Sequence, residues 1–222
     1  MISTSDRLRI AIIDYEAGNL HSVAGALARA ASVHGLSCEL ELVRSAAQWP
    51  DAEAAVLPGV GAFGSAMERL AERGLVERLR DHAAAGRPLL GICLGMQVLF
   101  DRGLEDGEHA GLGLLKGTVA LLPDDVKRPH MGWNHVEPLV DDPWLPYGRD
   151  PFYAYFAHSY AAPVDAEGVI AACHYGSATF AAAVRKGAVL GVQFHPERSH
   201  KAGLALLGRW LSRLAAGVVS RP

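Results

Sequence analysis

The sequence predicts a single α/β domain, with a mostly parallel central sheet flanked by helices and additional antiparallel strands in the C-terminal half. Two observations carry this prediction. In the first half, short β-branched apolar runs alternate with helical patterns, which is typical of strand–helix–strand units. In the second half, three strand patterns follow one another with only short turns between them, which favours antiparallel pairing.

Four strands and three helices are predicted in the first half. The strands cover residues 9–14, 38–43, 53–57 and 87–92. The helical patterns cover residues 20–34, 64–85 with an interruption near Gly74, and 94–102. Gly35 and Gly86 stand where the first two of these helices should end.

The second half has a different character. Residues 111–160 are rich in Pro, Gly, Trp and Tyr, and we expect them to be irregular, with short extended pieces at 118–122 and 152–156. The elements that follow are strands at 169–175, 179–184 and 188–194, a turn at Arg185-Lys186-Gly187, and an amphipathic helix at 201–216. No linker and no repeat divides the chain, so we predict one domain over 1–222 with its core at about 9–217.

The composition is that of an ordinary globular protein. The chain has 222 residues, of which 50% are hydrophobic and 20% charged, and its net charge is −3 at pH 7. This charge, with scattered basic residues, argues against nucleic acid or an anionic membrane as partner. The polar start at Met1–Arg7 does not resemble a signal peptide, and no apolar run reaches the ~18 residues of a membrane span. Three cysteines indicate reduced thiols, so we expect a cytoplasmic protein.

The segment Gly91-Ile92-Cys93-Leu94-Gly95 has the form of a nucleophile elbow with cysteine in the reactive position. A strand is predicted to turn sharply into a helix there, and the two glycines leave room for that turn. The first N–H groups of the helix would favour a thiolate and would offer donors to an oxyanion. We therefore predict that Cys93 is a nucleophile. Cys38 and Cys173 lie in apolar strand patterns, and we expect them to be core residues.

His195 follows the last predicted strand, and Glu197 stands two residues further on. The carboxyl ends of parallel strands form the functional edge of such sheets. A carboxylate on one ring nitrogen orients an imidazole and stabilises its protonated form. With Cys93, the pair predicts the Cys-His-Glu triad of a cysteine-dependent acyl transferase or hydrolase. The alternative is that His195 is only a hydrogen-bonded loop residue.

The glycine-rich segment Pro58-Gly59-Val60-Gly61-Ala62-Phe63-Gly64 follows the third predicted strand. It fits a tight turn, and the same backbone can supply a second N–H to an oxyanion. These two interpretations are compatible. A phosphate-binding glycine loop fits less well, because the carboxylate expected about 20 residues further on is absent.

Six blocks of the chain resemble the class I glutamine amidotransferases and, within them, the glutaminase subunits of imidazole glycerol phosphate synthases. The blocks are 14–20, 58–64, 91–97, 129–134, 155–160 and 191–197. They run in the family's order over nearly the whole chain. The cysteine elbow and the His-Pro-Glu block are shared across the superfamily, whereas Pro129-His130-Met131-Gly132-Trp133-Asn134 and the Asp14-Tyr15 start discriminate these subunits. We expect no cofactor and no metal ion.

The resemblance implies a role for each matching residue. Cys93 would attack the side-chain carboxamide of L-glutamine to give a γ-glutamyl thioester, His195 would move the proton, and Glu197 would orient His195. The backbone N–H groups implied for the oxyanion hole are those of Leu94 and of Val60 or Gly61. The residues implied to contact the amino-acid part of glutamine are Gly61, Gln97, Ser159 and Tyr160.

The resemblance also implies a protein partner in a heterodimer. This is a (β/α)8-barrel cyclase subunit that receives ammonia through an internal passage and makes imidazole glycerol phosphate and AICAR in histidine biosynthesis. The residues implied to lie near that interface are Asn19, Met131, Trp133, Asn134 and Tyr155, and local core packing is the alternative for the aromatic ones. Two residues depart from the family's pattern and could alter contacts with the partner. Glu16 stands where glycine is common, and Arg198 stands where lysine is more usual.

Two other functions stay open at this point. The chain could be the glutaminase subunit of another amidotransferase, of the anthranilate or purine type, although the Trp133 block and Asp14-Tyr15 speak against it. It could also be a non-catalytic regulatory subunit of the same fold. That alternative predicts a broken triad, whereas Cys93, His195 and Glu197 are all present.

Overall fold

A computed structural model describes residues 7–16 and 18–217 of the chain. The predictions made for residues 1–6 of the polar N-terminus and for both ends of the 1–222 domain lie outside these residues. Within the described part, no helix is long and apolar enough to cross a membrane.

The first half of the chain alternates strands and helices, as predicted. Its elements are β1 (Arg7–Ile13), α1 (Leu20–Val33), β2 (Ser37–Val43), β3 (Ala54–Gly59), α2 (Phe63–Glu72), α3 (Leu75–Ala84), β4 (Leu89–Cys93) and α4 (Leu94–Gln97). The predicted interruption near Gly74 is confirmed, because this residue has a φ of 68° and separates α2 from α3.

The second half is rich in strands and ends in a helix. Its elements are β5 (Phe100–Gly103), β6 (His109–Ala110), β7 (Leu115–Leu121), β8 (His130–Pro138), β9 (Phe152–His158), β10 (Tyr160–Ala161), β11 (Val169–Tyr175), β12 (Ala178–Lys186), β13 (Val189–Val192) and α5 (His200–Ala215). A single 3-10 turn at Pro196–Arg198 joins β13 to α5.

Nine of the described strands form one sheet in the order β2-β1-β3-β4-β13-β12-β11-β8-β9. The first five are parallel to one another, and β12, β11, β8 and β9 continue the sheet in antiparallel pairs. A smaller sheet has the order β10-β7-β5-β6. The predicted fold class is confirmed, and the sequential antiparallel strands lie where the sequence indicated.

The inner parallel strands β3, β4 and β13 are buried along their whole length because both faces of the sheet are covered. Ile10 and Ile12 of β1 pack into a cluster that includes residues of α1 and α5. Ala11 and Ile13, which point to the other face, pack with residues of α2 and α3. This two-sided burial holds the carboxyl ends of β3, β4 and β13 rigidly at one edge.

The helix predicted over 94–102 is wrong beyond its first turn. The structure has one helical turn, α4, and then strand β5. In a longer helix the carbonyls of Val98 and Leu99 would bond four residues ahead, but here they accept the N–H groups of Leu112 and Leu114 at 2.7 and 2.9 Å. Tertiary pairing has replaced the helical hydrogen bonds.

The irregular structure expected across 129–134 is also wrong. From His130 onward this segment belongs to β8, a nine-residue strand whose first seven residues pair with β9. Exposed and less exposed residues alternate along β8 as in a regular strand, with Met131, Trp133 and His135 on the exposed face. The inward positions carry His130, Gly132 and Asn134 instead of apolar residues, so the strand does not show the usual two-residue hydrophobic period.

Candidate active site

Cys93 occupies a strained turn between β4 and α4. Its backbone has φ 54° and ψ −109°, a combination that residues with a side chain rarely adopt, and the residue is only 5% exposed. The turn depends on close backbone contact, because a Cβ atom placed on Gly95 would lie 1.7 Å from the carbonyl oxygen of Leu57. The strand–turn–helix predicted around Cys93 is therefore present.

His195 and Glu197 lie beside this turn, just beyond the carboxyl end of β13. The Nδ1 atom of His195 is 2.8 Å from Oε1 of Glu197, and the two side chains are 5% and 1% exposed. The backbone N–H of His195 donates to the carbonyl of Tyr155 at 2.8 Å, and its own carbonyl accepts from the Ser199 hydroxyl at 2.7 Å. Buried main-chain contacts thus hold the imidazole in place.

The charge state of His195 is set by its neighbours. Burial alone would lower its pKa, but hydrogen bonding and negative charge at Cys93 and Glu197 raise the pKa from 6.5 to about 10. The ring is therefore protonated at pH 7, with Nδ1 donating to Glu197. An imidazolium between a cysteine thiolate and a carboxylate is the arrangement that nucleophilic cysteine chemistry requires.

Asn19 adds a contact that the sequence did not indicate. Its side-chain amide donates to Oε1 of Glu197, the same oxygen that accepts from His195. The other carboxylate oxygen, Oε2, is buried and has no hydrogen-bond partner among the described residues. A residue expected near a partner interface therefore also touches the candidate triad.

A cavity of about 370 Å³ opens in front of Cys93. The residues predicted for the oxyanion hole and for glutamine binding all line it, namely Val60, Gly61, Leu94, Gln97, Ser159 and Tyr160. Gly61 has a φ of 106°, a backbone conformation that favours glycine. The structure thus brings these predicted residues together around the thiol.

Gln193 is a neighbour of Cys93 to which the sequence assigned no role. It is fully buried, and its Nε2 atom lies 3.7 Å from the Cys93 sulfur. Its Oε1 atom accepts from Nε2 of Gln97 at 3.2 Å, and the same amide nitrogen of Gln97 donates to the Tyr160 carbonyl at 2.7 Å. The only sequence signal for a role of Gln193 is its position two residues before His195. That its side chain points towards Cys93 follows from the pairing of the strands, which the sequence does not show.

Only some of the other predicted interface residues lie on the outer face of β8 and β9. Met131 and Trp133 are 64% and 47% exposed. Tyr155 is half-buried, and the guanidinium of Arg198 lies 4.2 Å from the centre of its ring. Asn134 instead directs its amide inward, where it donates to the His174 carbonyl at 3.0 Å.

The prediction that the remaining cysteines are core residues is confirmed for Cys173 and holds only in part for Cys38. Cys173 is fully buried, and burial raises its pKa to about 12. Cys38 is half-buried at the margin of the core, and burial raises its pKa as well. Across residues 7–16 and 18–217, no cluster of His, Cys, Asp and Glu side chains could hold a metal ion.

The chain is similar in sequence to known proteins. Residues 11–211 match the family described as Glutamine amidotransferase class-I. Two proteins described as imidazole glycerol phosphate synthase subunit HisH are similar over nearly their full length. The one from Symbiobacterium thermophilum is 46% identical, covering 96% of this chain and 98% of its own. The one from Lactococcus lactis is 44% identical, covering 93% and 99%.

Solved structures agree on the fold. A crystal structure described as a glutamine amidotransferase superposes with a TM-score of 0.68 over 93% of this chain and 98% of its own, at 22% identity. Such low identity supports the architecture alone, whereas the two sequence relatives support the narrower resemblance that the six blocks indicated. The chain therefore belongs to the class I glutamine amidotransferases and, within them, to the family of imidazole glycerol phosphate synthase subunit HisH.

Proposed function

We propose that this chain hydrolyses L-glutamine to glutamate and ammonia at Cys93, and that it delivers the ammonia to a cyclase subunit. The observation that carries the proposal is the position of Cys93, on a strained turn beside the buried His195–Glu197 pair. The cavity in front of the sulfur is open enough to admit an amino acid side chain.

In the first step, the sulfur of Cys93, whose proton is held by His195, forms a bond to the carboxamide carbon of glutamine, and the carbonyl electrons move to oxygen. Backbone N–H groups of Leu94 and of Val60 or Gly61 would stabilise this oxyanion. The carbon–nitrogen bond then breaks, and protonated His195 gives its proton to the departing ammonia. The product at this stage is a γ-glutamyl thioester.

In the second step, water attacks the thioester. Neutral His195 takes a proton from that water, the carbon–sulfur bond breaks, and glutamate leaves. Glu197 keeps the ring in one orientation and stabilises its charged form throughout. We assign contact with the amino-acid part of glutamine to Gly61, Gln97, Ser159 and Tyr160, because all four line the cavity.

A partner is part of this proposal. The two relatives are described as subunits of imidazole glycerol phosphate synthase. Free ammonia at pH 7 would mostly be protonated, so its release is useful only next to an acceptor. We therefore propose a (β/α)8-barrel cyclase that makes imidazole glycerol phosphate and AICAR in histidine biosynthesis. It would dock at the face of Met131, Trp133 and Tyr155, close to Asn19 and Asn134. The three free thiols suit the cytoplasm.

The test is glutamate production from glutamine, with and without the cyclase subunit and its nucleotide substrate. We expect turnover that increases when both are present. Absence of glutamate under all conditions would overturn the hydrolysis, and turnover that ignores the cyclase would overturn the coupling.

A matched pair of variants assigns the site. Cys93→Ser should lose glutamine-dependent activity, because a hydroxyl is a far weaker nucleophile at neutral pH, while cyclisation with added ammonium survives. Cys38→Ser changes a half-buried thiol that does not line the cavity, and it should keep both activities. Equal losses in the two variants would contradict the assignment of Cys93.

A further inference from the structure

Two buried histidines face each other across the strand pair β8 and β9. His130 and His158 are direct register partners, and they are 3% and 6% exposed. Nδ1 of His130 lies 3.2 Å from Nε2 of His158. The His130 ring also stacks against Phe156 and Tyr175, with ring centres 4.9 and 4.0 Å away. The mechanism proposed above uses neither histidine.

The hydrogen bonds of this pair fix the tautomer of each ring. Nδ1 of His158 lies 2.9 Å from the carbonyl oxygen of Tyr160, which can only accept, so this nitrogen carries the proton. Burial lowers the pKa of His158 to about 3 and that of His130 to about 4, so both rings are neutral at pH 7. Nε2 of His158 must then accept, and Nδ1 of His130 must donate.

The outer end of this chain of bonds is Asn134. Its Nδ2 atom lies 3.2 Å from Nε2 of His130, which has no proton and accepts. Asn134 is half-buried and stands between Trp133 and His135, both of which are exposed. The bonded chain therefore begins on the inward-facing side of β8, one residue along the strand from Trp133 of the face to which we assigned the cyclase.

The inner end of the chain is the glutamine cavity. The Tyr160 carbonyl that accepts from His158 also accepts from Nε2 of Gln97 at 2.7 Å. The amide of Gln97 reaches Gln193, and Gln193 reaches the Cys93 sulfur at 3.7 Å. An uninterrupted series of hydrogen bonds thus connects Asn134 with both the cavity and the nucleophile.

We propose that His130 and His158 are positioning residues that hold the Tyr160 carbonyl, and through it Gln97, in the geometry that binds glutamine. This inference rests on the proposed glutaminase function. Apolar side chains would fill the same space without the cost of burying polar atoms, so a fully bonded pair here is better explained by the orientation it imposes. Because Asn134 is the neighbour of Trp133 along β8, a shift of this strand on docking would reach the cavity through the same bonds.

The experiment measures glutamine hydrolysis in the assembled complex with the nucleotide substrate present. His158→Phe keeps an aromatic ring but cannot donate to Tyr160, and we expect the KM for glutamine to rise by roughly 5- to 100-fold, with a smaller change in kcat. His158→Asn keeps a donor near the Nδ1 position and should recover most of the loss. His130→Phe keeps the stacking but leaves His158 without its donor, and should change KM in the same direction.

His82→Phe is the matched control. His82 is also a buried histidine, 3% exposed, with Nε2 3.0 Å from the carbonyl of Pro88, and burial lowers its pKa to about 4. It lies outside the bonded chain. We expect a comparable loss of thermal stability in His82→Phe and in His158→Phe, but an unchanged KM in the control.

Labelling of Cys93 separates positioning from general damage. In His158→Phe, a chloroketone analogue of glutamine should react at least about 5-fold more slowly, while iodoacetamide should react at the wild-type rate. Equal slowing with both reagents, an unchanged KM in His158→Phe, or failure of His158→Asn to recover would overturn the proposal. A wild-type complex that makes no glutamate would instead overturn the proposed function itself.

Discussion

Nδ1 of His195 lies 2.8 Å from Oε1 of Glu197 in a setting from which water is almost excluded. This contact, with the neighbouring Cys93, keeps the imidazole protonated well above the pH at which a free histidine loses its charge. The ring can therefore act first as an acid towards departing ammonia and then as a base towards water. The burial of this pair has consequences for stability as well as for catalysis.

The raised pKa of His195 predicts a specific dependence of stability on pH. The folded-state pKa of about 10 lies above the ordinary value of 6.5, so the folded chain binds more protons between these two pH values. This contribution to stability is complete below pH 6.5 and is lost as the pH rises towards 10. The free energy of unfolding, measured by denaturant titration, should therefore fall more steeply over this range in wild type than in His195→Asn. Equal slopes would contradict the raised pKa.

The strained backbone of Cys93 predicts an unusual order of stability between two inactive variants. Glycine tolerates φ 54° and ψ −109° better than alanine does, so Cys93→Gly should be more stable than Cys93→Ala by about 1–3 kcal/mol. The same exchange at Cys173, inside β11, should have the opposite sign because glycine weakens a strand. Thermal unfolding of the four variants makes the comparison. The same sign at both positions would mean that the turn is not strained in solution.

The hydroxyl of Tyr15 is buried and has no hydrogen-bond partner among the described residues. The hydroxyl oxygen packs so closely against Gly59 that a Cβ atom built on this glycine would lie only 2.2 Å from it. Burial, together with the charge of Cys93, raises the pKa of Tyr15 well above its usual range. Tyr15→Phe should therefore leave the free energy of unfolding unchanged or raise it by up to about 1–3 kcal/mol. Tyr175→Phe is the control, because that hydroxyl donates to the Lys127 carbonyl at 3.0 Å and its loss should destabilise. A clear loss of stability in Tyr15→Phe would reveal an additional partner for the hydroxyl.

Glu16 lies at a position where the backbone conformation favours glycine. Its φ is 69°, and its carboxylate lies 2.6 Å from Nη2 of Arg73 and 3.9 Å from Nη1 of Arg69. Both Glu16→Gly and Glu16→Ala lose the exposed ion pairs, which contribute little to the free energy of unfolding. Only alanine keeps a Cβ atom in the left-handed conformation, so Glu16→Gly should be more stable than Glu16→Ala by about 1 kcal/mol. Guanidinium denaturation of both variants measures this difference. A more stable alanine variant would show that the backbone strain is absent.

The apolar framework could be predicted from the sequence because its signals are local. Strands β3 and β4 are continuous apolar runs, β1 ends in one, and Gly74 interrupts the second helical pattern where the structure breaks it. Residues 94–102 could not be predicted by the same means. The apolar spacing there fits a helix, and only pairing with the distant segment at Leu112 and Leu114 ends it after one turn.

Some residues of the candidate site could be predicted from the sequence, and others could not. Short sequence motifs predict the chemical roles of Cys93, His195 and Glu197 without a structure. The contact of Asn19 with Glu197 joins residues 178 positions apart, and that of Gln193 with Cys93 joins residues 100 apart. No local pattern encodes such pairs. The contact between His130 and His158 could not be predicted for the same reason, because these residues become neighbours only when β8 and β9 pair.

The most direct test of the account is to identify the residue that carries the γ-glutamyl group during turnover. The assembled complex would be supplied with glutamine and the nucleotide substrate, quenched in acid, digested and examined by peptide mass spectrometry. We predict one γ-glutamyl group on the peptide that contains Cys93, and none in Cys93→Ser. A γ-glutamyl group on another residue, while Cys93 stays unmodified and glutamate is formed, would contradict the account.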